Sequence, residues 1–139
     1  MNTKYIDLID QSFHFPQDEF KLEGKTLQFH GIDLMELIAQ YGAPLKFTYL
    51  PKISENIQRA KTWFSDAFSK HDYKGKYHYC YCTKSSHFKH VLNEALKNDI
   101  HIETSSAFDL DIVDHLKSEG KISNENYVLC NGFKREQYI

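Results

Sequence analysis

The feature that most constrains this chain is an alternation of strand-like and helix-like segments through its second half. Residues 77–84, 100–103 and 127–130 have the residue types and spacing of short strands, and the continuous apolar run 127–130 predicts a strand that is covered on both faces. Between them, residues 88–96 and 110–116 place apolar side chains at helical intervals. Ser85 and Ser86 can cap the first of these helices, and Ser106 with Asp109 has the form of a capping box ahead of the second. Strands separated by single helices form parallel sheets through right-handed crossovers. The sequence therefore predicts an α/β fold.

A smaller element precedes this alternation. Residues 20–29 alternate apolar and polar side chains on both sides of Gly24, which predicts a β-hairpin with its turn at residues 23–25. Residues 33–41 have the spacing of a helix, and Gly42 is suited to end it. We therefore predict an N-terminal segment, residues 1–44, that contains a hairpin and a helix, with residues 1–19 irregular.

The remaining residues, 45–139, fit the start of a barrel. Residues 45–50 (LKFTYL) alternate like a further strand, and residues 54–69 follow with a helical apolar stripe. A closed (β/α)8 barrel of the TIM type typically takes about 250 residues. The chain has 139 residues, so we expect it to hold the first βα units of an incomplete barrel.

The composition limits the classes of partner that the chain is expected to bind. A net charge of −2 supplies no basic field for nucleic acid, and no apolar run approaches the roughly 20 residues of a membrane span. The first residues carry acids within their apolar stretch, which argues against a secretory signal. Three cysteines, an odd number without disulfide-type spacing, are typical of a reducing compartment. We expect a cytoplasmic protein with neither a nucleic-acid nor a membrane partner.

Lys84 is the sharpest candidate for chemistry. On a strand it shares a face with Cys80 and Cys82, whose small side chains leave room for a flat ligand. The end of a strand in a parallel sheet is where α/β folds place their active sites. Burial there disfavours the charged amine, so a lysine can add to a carbonyl group. The alternative is a solvated lysine that simply ends the strand.

Two further polar residues are predicted on the same rim of the sheet. Glu103 ends the second strand as Lys84 ends the first, and Asn131 follows the third. Glu103 could form a structural salt bridge with Lys84 or stabilise a cationic cofactor group. Asn131 with Gly132 is interpreted as a turn signal rather than a ligand.

A metal site is not predicted, although Cys80 and Cys82 lie near His78, His87 and His90. Structural zinc sites need two well-spaced ligand pairs, and no second pair is present. We interpret the cysteines as buried free thiols. A catalytic cysteine–histidine pair stays open as an alternative, although no third group that would orient it is evident.

Five segments together resemble one family. They are residues 41–45 (YGAPL), 52–57 (KISENI), 81–84 (YCTK), 102–107 (IETSSA) and 128–139 (VLCNGFKREQYI). In order and spacing they are similar to the fold-type III pyridoxal 5'-phosphate (PLP) decarboxylases, which have alanine-racemase-like barrels. The last segment most resembles biosynthetic arginine decarboxylase.

This resemblance implies a cofactor, a site and a reaction. It makes Lys84 the lysine to which PLP is bound covalently and Glu103 an acidic residue near the cofactor. It implies decarboxylation of L-arginine to agmatine and CO2 for polyamine biosynthesis, by a full-length protein that is a homo-oligomer. Cys82, Ser85 and Ser86 depart from the family pattern, but they are small and leave the role of Lys84 intact. The phosphate-binding loop and the ring-stacking histidine of the family are expected beyond residue 139, so we expect this stretch alone to be inactive.

Two alternatives to arginine decarboxylation remain open. The same barrel serves diaminopimelate, ornithine and carboxynorspermidine decarboxylases, so the substrate is an amino acid whose side chain the residues do not specify. A non-catalytic PLP-binding protein of cofactor homeostasis would carry the same lysine. The hairpin and helix before residue 44 argue mildly against this second alternative, because a bare barrel does not need them.

Overall fold

A computed structural model describes residues 19–138, which fall into two compact units divided between Phe47 and Thr48. The predicted irregular segment 1–19 lies outside the described residues except for Glu19. In the first unit β1 is Phe20–Glu23, β2 is Thr26–Phe29 and β3 is Ile32–Asp33. Helix α1 is Leu34–Tyr41. The three strands form an antiparallel sheet in the order β1-β2-β3.

Local chemistry explains this first unit. The tight turn between β1 and β2 contains Gly24 at a φ of 62°, a conformation that favours glycine. The side chain of Asp33 accepts hydrogen bonds from the backbone N–H groups of Met35 and Glu36, which satisfies two free donors at the start of α1. Gly42 ends the helix at a φ of 83°. The predicted hairpin and helix are both confirmed. The short strand β3 was not predicted from the sequence.

The second unit contains a parallel sheet and three helices. Helix α2 is Pro51–Lys70, β4 is Cys80–Cys82 and α3 is Lys89–Ala95. Strand β5 is His101–Thr104, α4 is Ala107–Ser118 and β6 is Val128–Cys130. The strands follow one another in the sheet in the order β4-β5-β6, and both pairings are parallel. The α/β class that the sequence predicts is thus observed.

Strand β5 is central and holds its neighbours through hydrogen bonds on both sides. The His101 N–H donates to the Tyr79 carbonyl at 2.8 Å, and the Ile102 N–H donates to the Tyr127 carbonyl at 3.1 Å. Cys82 pairs with Glu103, and Glu103 pairs with Leu129. Because side chains of paired residues point to the same side of a sheet, these three residues share one face.

The hydrophobic core lies on the opposite face. Ile102, with 0% exposure, packs with Leu92 of α3, Leu116 of α4 and Ile122. Ile100 packs with Ala95 and with Ile57 of α2. Tyr79 and Tyr81 contact these clusters, as the alternation along the first strand predicts. All three helices therefore contribute to a core on the Ile102 face.

A buried polar residue strengthens the junction of α2 and α3. Asn98 is 8% exposed, and its amide nitrogen donates to the Ser54 hydroxyl at 2.9 Å. Its amide oxygen accepts a hydrogen bond from Gln58 at 3.0 Å. The Ser54 hydroxyl in turn donates to the Glu94 carboxylate at 2.6 Å. A buried amide is tolerated because its donor and acceptor atoms are paired in this way.

Two predicted strands differ from those observed. Residues 45–50 are not a strand, because a strand needs a hydrogen-bonded neighbour and this segment pairs with no described strand. The predicted first strand of the sheet, residues 77–84, is reduced to Cys80–Cys82. The predicted helix 54–69 is longer, since Pro51 occupies its first turn.

Strand β6 was expected to be covered on both faces because residues 127–130 are a continuous apolar run. All three of its residues are instead exposed, with Val128 at 37% and Leu129 at 41%. The reason is its place at the edge of the sheet, beyond the helices that cover β5. Within residues 19–138, no helix combines the length and apolar character needed to cross a bilayer.

The core position of Ile102 generates a stability prediction. Ile102→Ala should lower the free energy of unfolding by about 2–5 kcal/mol, because it leaves a cavity among Leu92, Leu116 and Ile122. Urea denaturation followed by circular dichroism measures the change. Leu129→Ala, on the exposed face of the same sheet, is the control and should cost roughly 0.5 kcal/mol or less. Equal losses in both variants would contradict the assignment of the core face.

Candidate functional site

Lys84 lies just beyond the carboxyl end of β4. It was predicted to end the strand, but β4 ends at Cys82 and Lys84 is the second residue of the turn that follows. Its side chain is exposed rather than buried, and it forms no ion pair with Glu103. The structural salt bridge that the sequence left open is therefore not present between these two described residues.

The turn that carries Lys84 is closed by hydrogen bonds. The Ser85 N–H and the Ser85 hydroxyl both donate to the Cys82 carbonyl, at 3.1 and 2.7 Å. The Tyr81 hydroxyl donates to the Ser86 carbonyl at 3.0 Å. The prediction that Ser85 and Ser86 cap the next helix is wrong, because these contacts hold both residues in the turn.

Helix α3 consequently begins later, at Lys89, with Phe88 at its N-cap and no side-chain cap. Phe88 was predicted to lie on the buried stripe of this helix, but it is 63% exposed. The reason is that a residue at the N-cap has left the helical path, so helical spacing no longer sets the direction of its side chain. Its ring instead stacks on His90, with 5.6 Å between ring centroids.

Glu103 and Asn131 come together as expected from their shared rim. The Asn131 side-chain amide donates to Glu103 Oε1 at 2.5 Å, and the Asn131 backbone N–H donates to the Thr104 carbonyl at 2.8 Å. The carboxylate of Glu103, together with burial, raises the pKa of the Cys80 thiol, with burial the larger cause. Cys80 is therefore a protonated thiol at neutral pH and not a ready nucleophile.

A buried carboxylate also lies at this rim, at the start of α4. Asp109, in the first turn of α4, accepts hydrogen bonds from the backbone N–H groups of Ser105 and Ser106 at 2.8 and 2.9 Å. The predicted capping box of Ser106 and Asp109 is confirmed. Burial would raise the pKa of Asp109, but the hydrogen bonds from Ser105 and Ser106 outweigh it and lower the pKa. Asp109 is therefore ionised at neutral pH.

The segment after β6 folds against the end of β5. The hydroxyl groups of Tyr138 and Thr104 are 2.5 Å apart, and Lys134 Nζ lies 4.1 Å from the centre of the Tyr138 ring. A cavity of about 340 Å³ opens beside them, between this segment and the start of α4. Ser105, Phe108 and Arg135 also line it. The cavity is of a size to hold part of a small ligand.

A cluster that sequence reasoning missed lies on the same sheet face as Glu103, nearer the amino ends of the strands. His78 Nδ1 and His101 Nε2 are 2.8 Å apart, and the ring of Tyr127 lies 4.4 Å from that of His101 between ring centroids. From the sequence, His78 was considered only as a possible metal ligand near the cysteines, and His101 was not singled out. The two side chains lie side by side because β4 and β5 pair in a particular register. No local feature of the sequence predicts that register.

The hydrogen bonds of His101 determine the protonation of both rings. His101 Nδ1 accepts the Tyr127 N–H at 3.1 Å, so in the neutral ring the proton is on Nε2. That Nε2–H donates to His78 Nδ1, which must then be unprotonated. Burial, followed by the proximity of His78, lowers the pKa of His101. A second proton on His101 would occupy Nδ1 and break the bond from the Tyr127 N–H, and a proton on His78 Nδ1 would break the bond between the two rings.

These contacts give no support to the alternative of a zinc site. In the described part of the chain no three histidine, cysteine, aspartate or glutamate side chains converge to hold an ion. Cys80 and Cys82 are half-buried free thiols and Cys130 is an exposed one. Cys130 lies near the hydroxyl of Thr104, with 3.9 Å between Sγ and Oγ1.

Comparison with known proteins gives a distant relationship to one kind of enzyme. The chain is 25% identical over 117 residues to biosynthetic arginine decarboxylases of Prochlorococcus marinus strains MIT 9303 and MIT 9313. The matched region covers 78% of this chain but 17% of each relative. The chain thus spans less than a fifth of the length of these curated relatives. No protein-family model and no solved structure matches it. These findings support a relationship to part of a decarboxylase.

The histidine pair generates a pH prediction. Because the pKa of His101 is lower in the folded protein than its usual 6.5, the unfolded chain binds more protons just below pH 6.5. The free energy of unfolding should therefore fall as the pH drops through 6.5 towards the folded-state pKa. Urea denaturation at a series of pH values measures the slope. His101→Asn should flatten it, whereas Tyr127→Leu, which removes a neighbouring ring but no imidazole, should keep it.

Proposed function

We propose that this chain is the N-terminal part of a PLP-dependent amino-acid decarboxylase, and that Lys84 is the residue that binds the cofactor covalently. The observation that carries the proposal is the position of Lys84, exposed just beyond the carboxyl end of a parallel strand and next to the strand that bears Glu103. The distant similarity to biosynthetic arginine decarboxylases supports the same reaction class.

The proposal includes a barrel architecture. The three parallel strands follow one another in sequence order, and the helices that connect them pack on one face only. Sequential order with helices on a single side is the arrangement of a (β/α)8 barrel, whereas a doubly wound sheet carries helices on both sides. The face that bears Cys82 and Glu103 would then be the barrel interior, and the exposed β6 would pair with a further strand.

The residues present fit a PLP group. Cys80 and Cys82 are small and half-buried on the sheet face that the helices leave uncovered, which provides space for a planar ring. Glu103 supplies a carboxylate on that face, held by the Asn131 amide. Lys84 supplies an exposed primary amine at the strand end, so Lys84 and Glu103 are the residues that would hold the cofactor.

The chain's own groups have limited but specific tasks in this reaction. PLP, when bound, supplies an electron sink for the charge left by the loss of CO2. Lys84 would hold the cofactor through its amine, and that amine, when free, could carry a proton at the rim. The Asn131 amide holds the Glu103 carboxylate in one orientation, which fixes a negative charge at the rim. The Cys80 thiol stays protonated and takes no part.

L-arginine is the substrate that we propose, with agmatine and CO2 as products. The support is that the two similar proteins are biosynthetic arginine decarboxylases, together with the resemblance of the segment 128–134, which contains β6, to that family. We further propose that the whole protein is a cytoplasmic homo-oligomer that works in polyamine biosynthesis. The stretch of 139 residues is expected to be inactive by itself, because it spans less than a fifth of those relatives.

Cofactor labelling tests the assignment of Lys84. The whole protein that contains this chain should absorb visible light when loaded with PLP and lose the band on borohydride reduction. Mass spectrometry of the reduced protein should then find the pyridoxyl group on Lys84. A label on any other lysine, or none, would remove the basis of the proposal.

Substitution tests the function. Lys84→Ala should lower arginine decarboxylation by about a thousandfold or more while leaving the thermal melt unchanged, since Lys84 is exposed and makes no described ion pair. Release of CO2 from labelled arginine measures the rate. The control is Lys89→Ala, which removes an exposed lysine of α3 that forms an ion pair with Glu119. This variant should keep the rate within about twofold.

A further inference from the structure

The cavity of about 340 Å³ beside Tyr138 lies at the carboxyl end of the sheet, between the start of α4 and the segment that follows β6. Ser105, the residue directly after β5, lines it together with Phe108 of α4. Parallel sheets of α/β proteins bind their ligands at this end. Its volume is within the range of small-molecule sites, which is roughly 300–1,000 Å³.

The two most exposed large hydrophobic side chains among the described residues both line this cavity. Phe133 is 92% exposed and Phe108 is 81% exposed. Neither ring belongs to the hydrophobic clusters that stabilise the second unit. Phenyl rings left in water lose the free energy that burial would supply, and a bound apolar group would recover it. Two such rings at one cavity therefore indicate a ligand with an apolar or aromatic part.

In the described part of the chain, the charged side chains that line the cavity are both positive. The ammonium group of Lys134 already donates to the Asn131 carbonyl and lies 4.1 Å from the centre of the Tyr138 ring. Arg135 is exposed, and its guanidinium group forms no hydrogen bond or ion pair with any residue that the structure describes. A guanidinium group presents paired N–H donors that match the two oxygens of a carboxylate. Arg135 is therefore the group available to an anionic ligand.

The backbone at the start of α4 does not supply this attraction. The N–H groups of Ser105 and Ser106 donate to the Asp109 carboxylate at 2.8 and 2.9 Å, so they are not free to bind a ligand. Asp109 itself is 6% exposed and does not line the cavity. An anion in the cavity must therefore be bound by side chains.

We propose that this cavity binds a small organic carboxylate, with Arg135 paired to the carboxylate and with Phe108 and Phe133 covering an apolar or aromatic body. The site requires neither PLP nor Lys84, so the inference goes beyond the proposed function and does not rest on it. The Tyr138 hydroxyl lies 2.5 Å from that of the buried Thr104, which anchors the segment that carries Arg135 to the end of β5.

The first experiment uses the whole protein that contains this chain, with benzoate as the probe. 2,3-Butanedione modifies accessible guanidinium groups, and peptide mass spectrometry reads Arg135 separately from Arg59, the other arginine of this chain. Benzoate at ten times its dissociation constant should slow the modification of Arg135 by about tenfold. Arg59, which lies over the ring of Trp63, should react at an unchanged rate. Benzamide, which has a similar shape but no charge, should not protect Arg135.

Variants test the two parts of the site by calorimetric titration with benzoate. Arg135→Gln should weaken binding by about tenfold or more, because a charge-assisted pair is lost, whereas Arg59→Gln should leave it unchanged. Phe108→Ala should weaken binding by about tenfold, because an apolar wall is lost. The matched control is Phe88→Ala, which removes another exposed phenylalanine, at the start of α3. All four side chains are exposed, so each variant should keep the thermal melt of the parent.

Several results would overturn the proposal. One is an Arg135 that benzoate does not protect, and another is equal protection by inorganic phosphate, which would show that charge alone drives binding. An Arg135 that does not react even without benzoate would show that another part of the whole protein covers the cavity. Equal weakening in Phe108→Ala and Phe88→Ala would remove the apolar wall. Labelling of Lys84 by PLP is measured separately, so a failure of the proposed function leaves this test intact.

Discussion

The parallel pairing of β5 with both of its neighbours is the interaction on which the rest of the second unit depends. Its backbone bonds to residues 79 and 127 hold three strands in one register, and Ile102 on its covered face meets side chains from two helices. Each candidate site residue takes its place from that register. Glu103 meets Asn131 because β6 lies beside β5, and Thr83 meets the Glu103 carbonyl because β4 lies on the other side.

The two faces of this sheet differ in composition and in role. The face of Ile102 is dry and packed against helices, which accounts for the burial that stabilises the unit. The other face carries thiols, a carboxylate and a pair of histidines, a composition suited to binding rather than to packing.

Sequence reasoning succeeded where the cause is local. The hairpin about Gly24 and the capping box of Ser106 and Asp109 are set by residues within four positions of one another, and both form as predicted. It failed where contacts with other parts of the chain override the local pattern. The segment 45–50 has the alternation of a strand but no strand beside it, and Ser85 could cap a helix but donates instead to the Cys82 carbonyl.

The sequence by itself determined the order of strands and helices, the apolar stripes and the candidacy of Lys84, because periodicity and residue chemistry are properties of short stretches. Only the tertiary structure decided that Lys84 stands exposed in a turn, that Glu103 is held by Asn131, and that His78 and His101 share a hydrogen bond. The physical reason is that side chains far apart in sequence meet only through strand register, which is settled by the packing of the whole sheet and not by any one segment.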